Sequence, residues 1–194
     1  MNEEMEMHVD AGGVDYTVDS KTGYIKGRVI AYTWGSEGEE ETLSTPVEPF
    51  GFKNPPIDPI QFAYDLANTM RHYHGIGLSA NQVGKPYRVF TINSYPALCC
   101  YNPIIVASEN PVYLDEGCLS YPNLFIRIKR PDRIKARYTE PNGNVRTEVF
   151  DGLTARIFQH ELDHLNGILF YQRASLIDRQ KAYKQRKILN RRRK

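Results

Sequence analysis

Residues 151–167 read DGLTARIFQHELDHLNG, and the rest of the fold has to be built around this stretch. Asp151 is a candidate N-cap and Asn166-Gly167 a stop signal, which predicts a helix through Leu165. Leu153, Ile157, Phe158, Leu162 and Leu165 recur at helical spacing and are expected to be buried. Between them lie His160, Glu161, Asp163 and His164, and metal coordination is one of the few ways to satisfy charged groups in apolar surroundings. His160 and His164 are four residues apart, so both imidazoles project from one helix face. That spacing can place two nitrogens about 2.0–2.1 Å from one divalent ion. Glu161 is placed to approach a water on such an ion, whose pKa falls to about 7, and to take its proton.

The flanking sequence reads as short strands with two further helices. Val14 to Tyr32 suggests strand, turn and strand around Ser20-Lys21-Thr22-Gly23. Prolines from Pro46 to Pro59 keep residues 42–60 largely loop-like. Asp58 before Pro59 predicts a helix start, with a helix to about Tyr73 that turns Ile60, Ala63, Leu66, Ala67 and Met70 inward. Tyr87–Ile92 and Ile104–Val106 are expected as short strands. Arg127–Tyr138 alternates enough for one or two more, and Asn142-Gly143 turns that run into Val145–Phe150. A last helix is expected from about Leu176. The fold class is therefore α+β, with antiparallel or mixed sheets packed around the central helix of the histidine pair, plus a C-terminal helix. Three segments are expected: an acidic, hairpin-like extension over 1–27, the main domain over 28–178, and a basic helix or tail over 179–194.

The chain has 194 residues, enough for one sizeable core, and its 41% hydrophobic and 25% charged content is ordinary for a soluble protein. A net charge of +2 gives no general steer toward nucleic acid or membrane. No apolar run approaches the roughly 20 residues that cross a bilayer. The first residues, MNEEME, resemble neither a signal nor a transit peptide, and three cysteines in no paired pattern fit a reducing compartment. A cytoplasmic, monomeric enzyme with no membrane partner and no specific nucleic acid is the expectation. Charge is nevertheless uneven. Glu accounts for four of the five residues 37–41, whereas residues 179–194 hold nine Lys or Arg. That tail is either a solvated end or a contact for an anionic surface such as ribosomal RNA.

A metal site of this kind needs a third protein ligand. Phe170 stands where a common metallopeptidase variant has its third His, and no Glu, His or Cys follows His164. The ligand should therefore come from upstream, where the candidates are Cys118, Cys99, Cys100, His72, His74 and His8. Cys118 lies in EGCLS, where glycine permits close backbone approach, and is favoured over the Cys99-Cys100 pair. His72 and His74 sit near a helix end and read as surface residues.

Three segments together carry a family resemblance: GIGLSANQ at 75–82, EGCLS at 116–120 and QHELDH at 159–164. In identity, order and spacing they resemble the motifs of peptide deformylase, over roughly residues 40–175. The resemblance implies that Cys118, His160 and His164 bind a metal with water as fourth ligand. Fe(2+) is the expected ion, with Ni(2+), Co(2+) or Zn(2+) as replacements. It implies removal of formyl from N-formylmethionine on nascent polypeptides by attack of metal-bound water. Glu161 would be the general base, and the Gln82 side chain and Leu119 N–H would hold the oxyanion. Ile76, Gly77 and Gly117 would pair with the substrate backbone, and Glu116 with Arg130 would support the site from behind. The basic tail would touch the ribosome. Ser79 replaces an alanine of the first motif and reads as a packing variation, whereas Phe125 stands where an arginine often lies. The alternatives are an HExxH metallopeptidase, a non-catalytic module of the same fold, and a purely structural metal site.

Overall fold

The structure is a computed structural model that describes residues 6–9, 15–18, 25 and 42–192. Helix α1 spans Pro59–His72, and its N-cap Asp58 accepts from the backbone N–H groups of Ile60 and Gln61 at 2.8 and 3.1 Å. Phe62, Ala63, Leu66, Ala67 and Met70 are buried, but Ile60 is 61% exposed. The inward stripe thus runs through Phe62, whose ring is the larger apolar surface to remove from water.

At the N-terminus, β1 (Glu6–Val9) pairs with β2 (Asp15–Val18). The expected hairpin over Val14–Tyr32 therefore supplies only one of these strands, and its Ser20–Gly23 turn lies outside the described residues, as does most of the 1–27 extension. Five further strands form one antiparallel sheet in chain order: β3 (Gly77–Ser79), β4 (Val89–Ile92), β5 (Leu98–Cys118), β6 (Tyr121–Thr139) and β7 (Val145–Asp151). The strand expected at Ile104–Val106 is an interior piece of β5, which runs 21 residues. Pro111 faces Pro131 across the β5–β6 pair, and exposure on the outer half of β5 hides any core-type alternation there. Asn142-Gly143 does lie in the turn between β6 and β7.

Helix α2 spans Gly152–Leu165 and packs across β3, β4, β6 and β7. Asp151 stands at its N-cap without a side-chain capping bond, because its carboxylate accepts from Arg133 at 2.9 Å instead. The other end is closed tightly. Ile168 N–H donates to Asp163 C=O at 2.8 Å, Gly167 takes φ +68°, and Arg88 donates to the Leu165 carbonyl at 3.0 Å and to Asn166 Oδ1 at 2.7 Å. Ile157, Phe158, Leu162 and Leu165 are buried, whereas Leu153 is 60% exposed. Leu153 sits in the first turn of α2, beyond the sheet's cover, and faces a cavity. Helix α3, Leu176–Arg192, lies against β6 through Ala182, which joins Leu43, Leu124, Ile126 and Phe170 in one cluster.

Candidate metal centre

Two elements bring the central side chains together. On α2, Arg156, His160 and His164 recur every four residues and share a face. On β5, Glu116 and Cys118 are two apart, the strand period that turns both toward α2. A register shift between Glu116 and Cys118 carries the strand into the turn to β6 at that point. Cys118 Sγ lies 3.2 Å from His164 Nε2, and one ligand atom each from Cys118, His160 and His164 falls within 4.8 Å of the others. Among the described residues this is the one such cluster of three. Cys99 and Cys100 are buried in two different core clusters, as neighbours on a strand must be, and stand apart from it. His72 and His74 are exposed, and the His8 side chain lies outside the described residues.

Behind the cluster is a buried ion-pair network. Glu116 accepts from Arg130 Nε and Nη2 at 2.7 and 3.0 Å and from Arg156 Nη1 at 2.8 Å. It also meets His160 Nδ1 at 3.1 Å, which leaves Nε2 as that ring's ligand atom. Arg130 reaches on to Asp163 Oδ2 at 2.6 Å, and Asp163 is held from outside by Arg173. Burial would raise the Glu116 carboxyl, but hydrogen bonds from His160 and Arg130 and their charges hold it well below the usual range. For His160 burial works downward, and the hydrogen bonds of Cys118 and Glu116, with the charges of Cys118 and Glu161, raise it to about 10. His164 falls well below its ordinary value through burial and the neighbouring positive charges of His160 and Arg130.

Glu161 faces the other way, toward β3. A Cβ added to Gly77 would sit 2.5 Å from Glu161 Oε1, so only glycine lets the strand pass this close. Burial raises the Glu161 carboxyl to about 7, against the lowering effects of His160 and Ser79. Its Oε2 is buried with no hydrogen-bond partner, as is His164 Nδ1. Gln82 stands on the 3-10 turn Ala80–Val83 and donates through Nε2 to Ser120 Oγ at 3.1 Å and toward Cys118 Sγ at 3.7 Å. A cavity of about 440 Å³ opens over the group, lined by Ile76, Gly77, Gly117, Leu119, Phe125 and Leu153 among others. The Phe125 ring covers Gly117, where an added Cβ would approach it to 2.7 Å.

The sequence profile described as Polypeptide deformylase matches residues 36–180. The chain belongs to the polypeptide deformylase family. The peptide deformylase of Thermotoga petrophila is 42% identical over 112 residues, 57% of this chain and 68% of the relative. The crystal structure of the Thermotoga maritima peptide deformylase superposes with TM-score 0.67 at 34% identity, covering 76% of this chain and 97% of its own. That of the Thermus thermophilus enzyme gives 0.70 at 32%, covering 77% and 89%. Peptide deformylases are hydrolases that remove formyl groups and are metalloenzymes acting on formylated nascent peptides, and this chain is an enzyme of that family. Among the described residues no helix is long and apolar enough to cross a membrane.

Every deformylase residue expected from the motifs lies at the cavity or directly behind it. Sequence reasoning missed Arg156 and Ser120, and it placed Asp163 in the charged cluster without its partners Arg130 and Arg173. An arginine four residues before the first histidine on α2 was the available signal for Arg156, but only the packed sheet supplies the carboxylate it meets.

Proposed function

We propose that this deformylase removes the formyl group from N-formylmethionine at the start of nascent polypeptides, with Cys118, His160 and His164 holding one divalent transition ion. The donor set supports that reading: one thiol and two imidazoles, one of them braced by a carboxylate, with no fourth protein ligand beside them among the described residues. Iron in the ferrous state is the ion we assign, with nickel, cobalt or zinc as substitutes. When bound, such an ion supplies a Lewis acid that makes water acidic enough to serve as a nucleophile near neutral pH.

The chain's own groups do the rest. Glu161 Oε2, buried and unpartnered, accepts the proton of the attacking water and returns it to the leaving amine. Gln82 Nε2–H and the Leu119 backbone N–H donate to the oxygen that gains charge at the formyl carbon. Ile76, Gly77 and Gly117 line the cavity, Gly77 on β3 and Gly117 on β5 with Ile76 just before β3, and pair with the substrate backbone. The observation that carries the reading is the unpartnered Glu161 oxygen beside the three-ligand cluster.

Anaerobic purification with metal analysis and formate release from formyl-Met-Ala test it. Glu161→Ala is expected to keep its metal and lose turnover by about 10²–10⁴. Cys118→Ala is expected to lose the metal. Wild-type turnover by Glu161→Ala would overturn the assignment, and cleavage of internal peptide bonds instead of formate release would favour a metallopeptidase. Ribosome contact through α3 belongs to the same reading, since Lys181, Lys184, Lys187 and Arg191 are exposed along one side of it.

A further inference from the structure

The Gln82 side chain is clamped at both ends. Its Oε1 accepts from the Ser79 backbone N–H at 2.9 Å and from Ser79 Oγ at 2.9 Å. Its Nε2 donates to Ser120 Oγ at 3.1 Å and points toward Cys118 Sγ at 3.7 Å. Ser79, Gln82 and Ser120 are all buried, so water does not compete for these bonds. A backbone N–H can only donate, so the atom facing Ser79 is the carbonyl oxygen and the amide has one orientation. The amide has two N–H donors. Ser120 takes one, and the second is left on the Cys118 side, facing the ligand cluster.

The Ser79 hydroxyl adds something the backbone cannot. It fills the second lone pair of Oε1, which polarises the amide and strengthens the N–H bonds at the other end. It also opposes rotation of the amide about its terminal torsion, which is otherwise broad. An alanine here would leave that lone pair buried and unmatched. Serine at this position is therefore more than a packing variation.

We propose that Ser79 is a positioning residue for deformylation, whose hydroxyl locks the Gln82 amide and sharpens its second Nε2–H, the one on the Cys118 side, as the donor to the developing oxyanion. The inference rests on the proposed role of Gln82 in that reaction. A merely structural alternative is that Ser79 does no more than begin the 3-10 turn, and the two are separable by experiment.

The test uses the metal-loaded full chain with Ser79→Ala, Ser79→Cys, Gln82→Ala and the Ser79→Ala/Gln82→Ala double variant, assayed on formyl-Met-Ala. Loss of one neutral hydrogen bond of this kind corresponds to about a two- to fivefold fall in kcat, with KM unchanged. Ser79→Cys, a weaker donor of similar size, should fall between serine and alanine. In the Gln82→Ala background, Ser79→Ala should cost clearly less than in the parent, because the group it acts through is gone and only its contact with Glu161 remains. The Gln82 side-chain 15N–H resonances should shift in Ser79→Ala and their hydrogens exchange faster. Equal losses in both backgrounds, unchanged kcat in Ser79→Ala, or unmoved Gln82 resonances would each overturn the proposal. If Gln82→Ala itself keeps wild-type kcat, the reading of Gln82 fails first, and the two failures are distinct.

Discussion

Helices α2 and α3 are both rich in charged side chains, and the fold treats them in opposite ways. On α2, Arg156, His160, Glu161, Asp163 and His164 are all buried. On α3, Lys181, Lys184, Lys187 and Arg191 are exposed, and Arg186 is buried. Charge content does not separate them. Partners do. The α2 charges find Glu116, Arg130 and Arg173 waiting on other elements, so their desolvation is offset by hydrogen bonds. Asp178 in the first turn is the last acidic residue, so α3 has no carboxylate along the rest of its length to pair its cations and leaves most of them in water.

The strongest way to break this contrast is to remove one partner from the buried network. Arg130→Met should cost about 3 kcal/mol, because it withdraws the cation that two buried carboxylates share, leaving Glu116 to Arg156 and His160 and Asp163 to Arg173 alone. Urea unfolding of the metal-free protein measures it, and a loss below ~1 kcal/mol would mean that the network contributes no more than a surface pair.

A smaller effect should come from pH. The Glu116 carboxyl is depressed in the folded state, so its contribution is fully present above the unfolded value of about 4.3 and is lost as pH falls below it. Metal-free Glu116→Gln should therefore be less stable than the parent at pH 7, and the two unfolding curves should converge as pH is lowered below about 4. Parallel curves would remove Glu116 from the acid response.

The smallest effect on stability belongs to α3. Reversing Lys184, Lys187 and Arg191 to glutamate should change unfolding free energy by no more than about 0.5 kcal/mol per site and spare formate release. Co-sedimentation with ribosomes at moderate salt should nevertheless fall. Deleting residues 179–194 is a poorer test, because it also removes Ala182 from the core. Unchanged sedimentation of the triple variant would rule out α3 as the contact.

Local patterns were legible where a few neighbouring residues decide the outcome. Asp58-Pro59 starts α1, Asn166-Gly167 ends α2, and Asn142-Gly143 turns β6 into β7. Inward faces were less so: Ile60 and Leu153 are as apolar as their neighbours yet face solvent or the cavity, because no element among the described residues covers them. The length of β5 was hidden for a related reason. Its outer half, paired only with β6, is exposed and shows no buried alternation.

For the metal centre the division is clear. That two histidines share a helix face with a glutamate beside them follows from residue spacing, since helical geometry alone dictates it. The absence of any candidate after His164 also pushed the third ligand upstream. The EGCLS setting and the family resemblance already favour Cys118, and the packed fold adds the geometry: Cys99 and Cys100 are buried by the sheet while the end of β5 carries Cys118 to within 3.2 Å of His164. Packing likewise made Arg130 and Arg156 converge on Glu116 and let Ser79 grip Gln82. Arg156 and Glu116 are 40 residues apart in the chain, a pairing that no local pattern records. The grip on Gln82 depends on side-chain orientation, which is fixed only when neighbouring elements close around it.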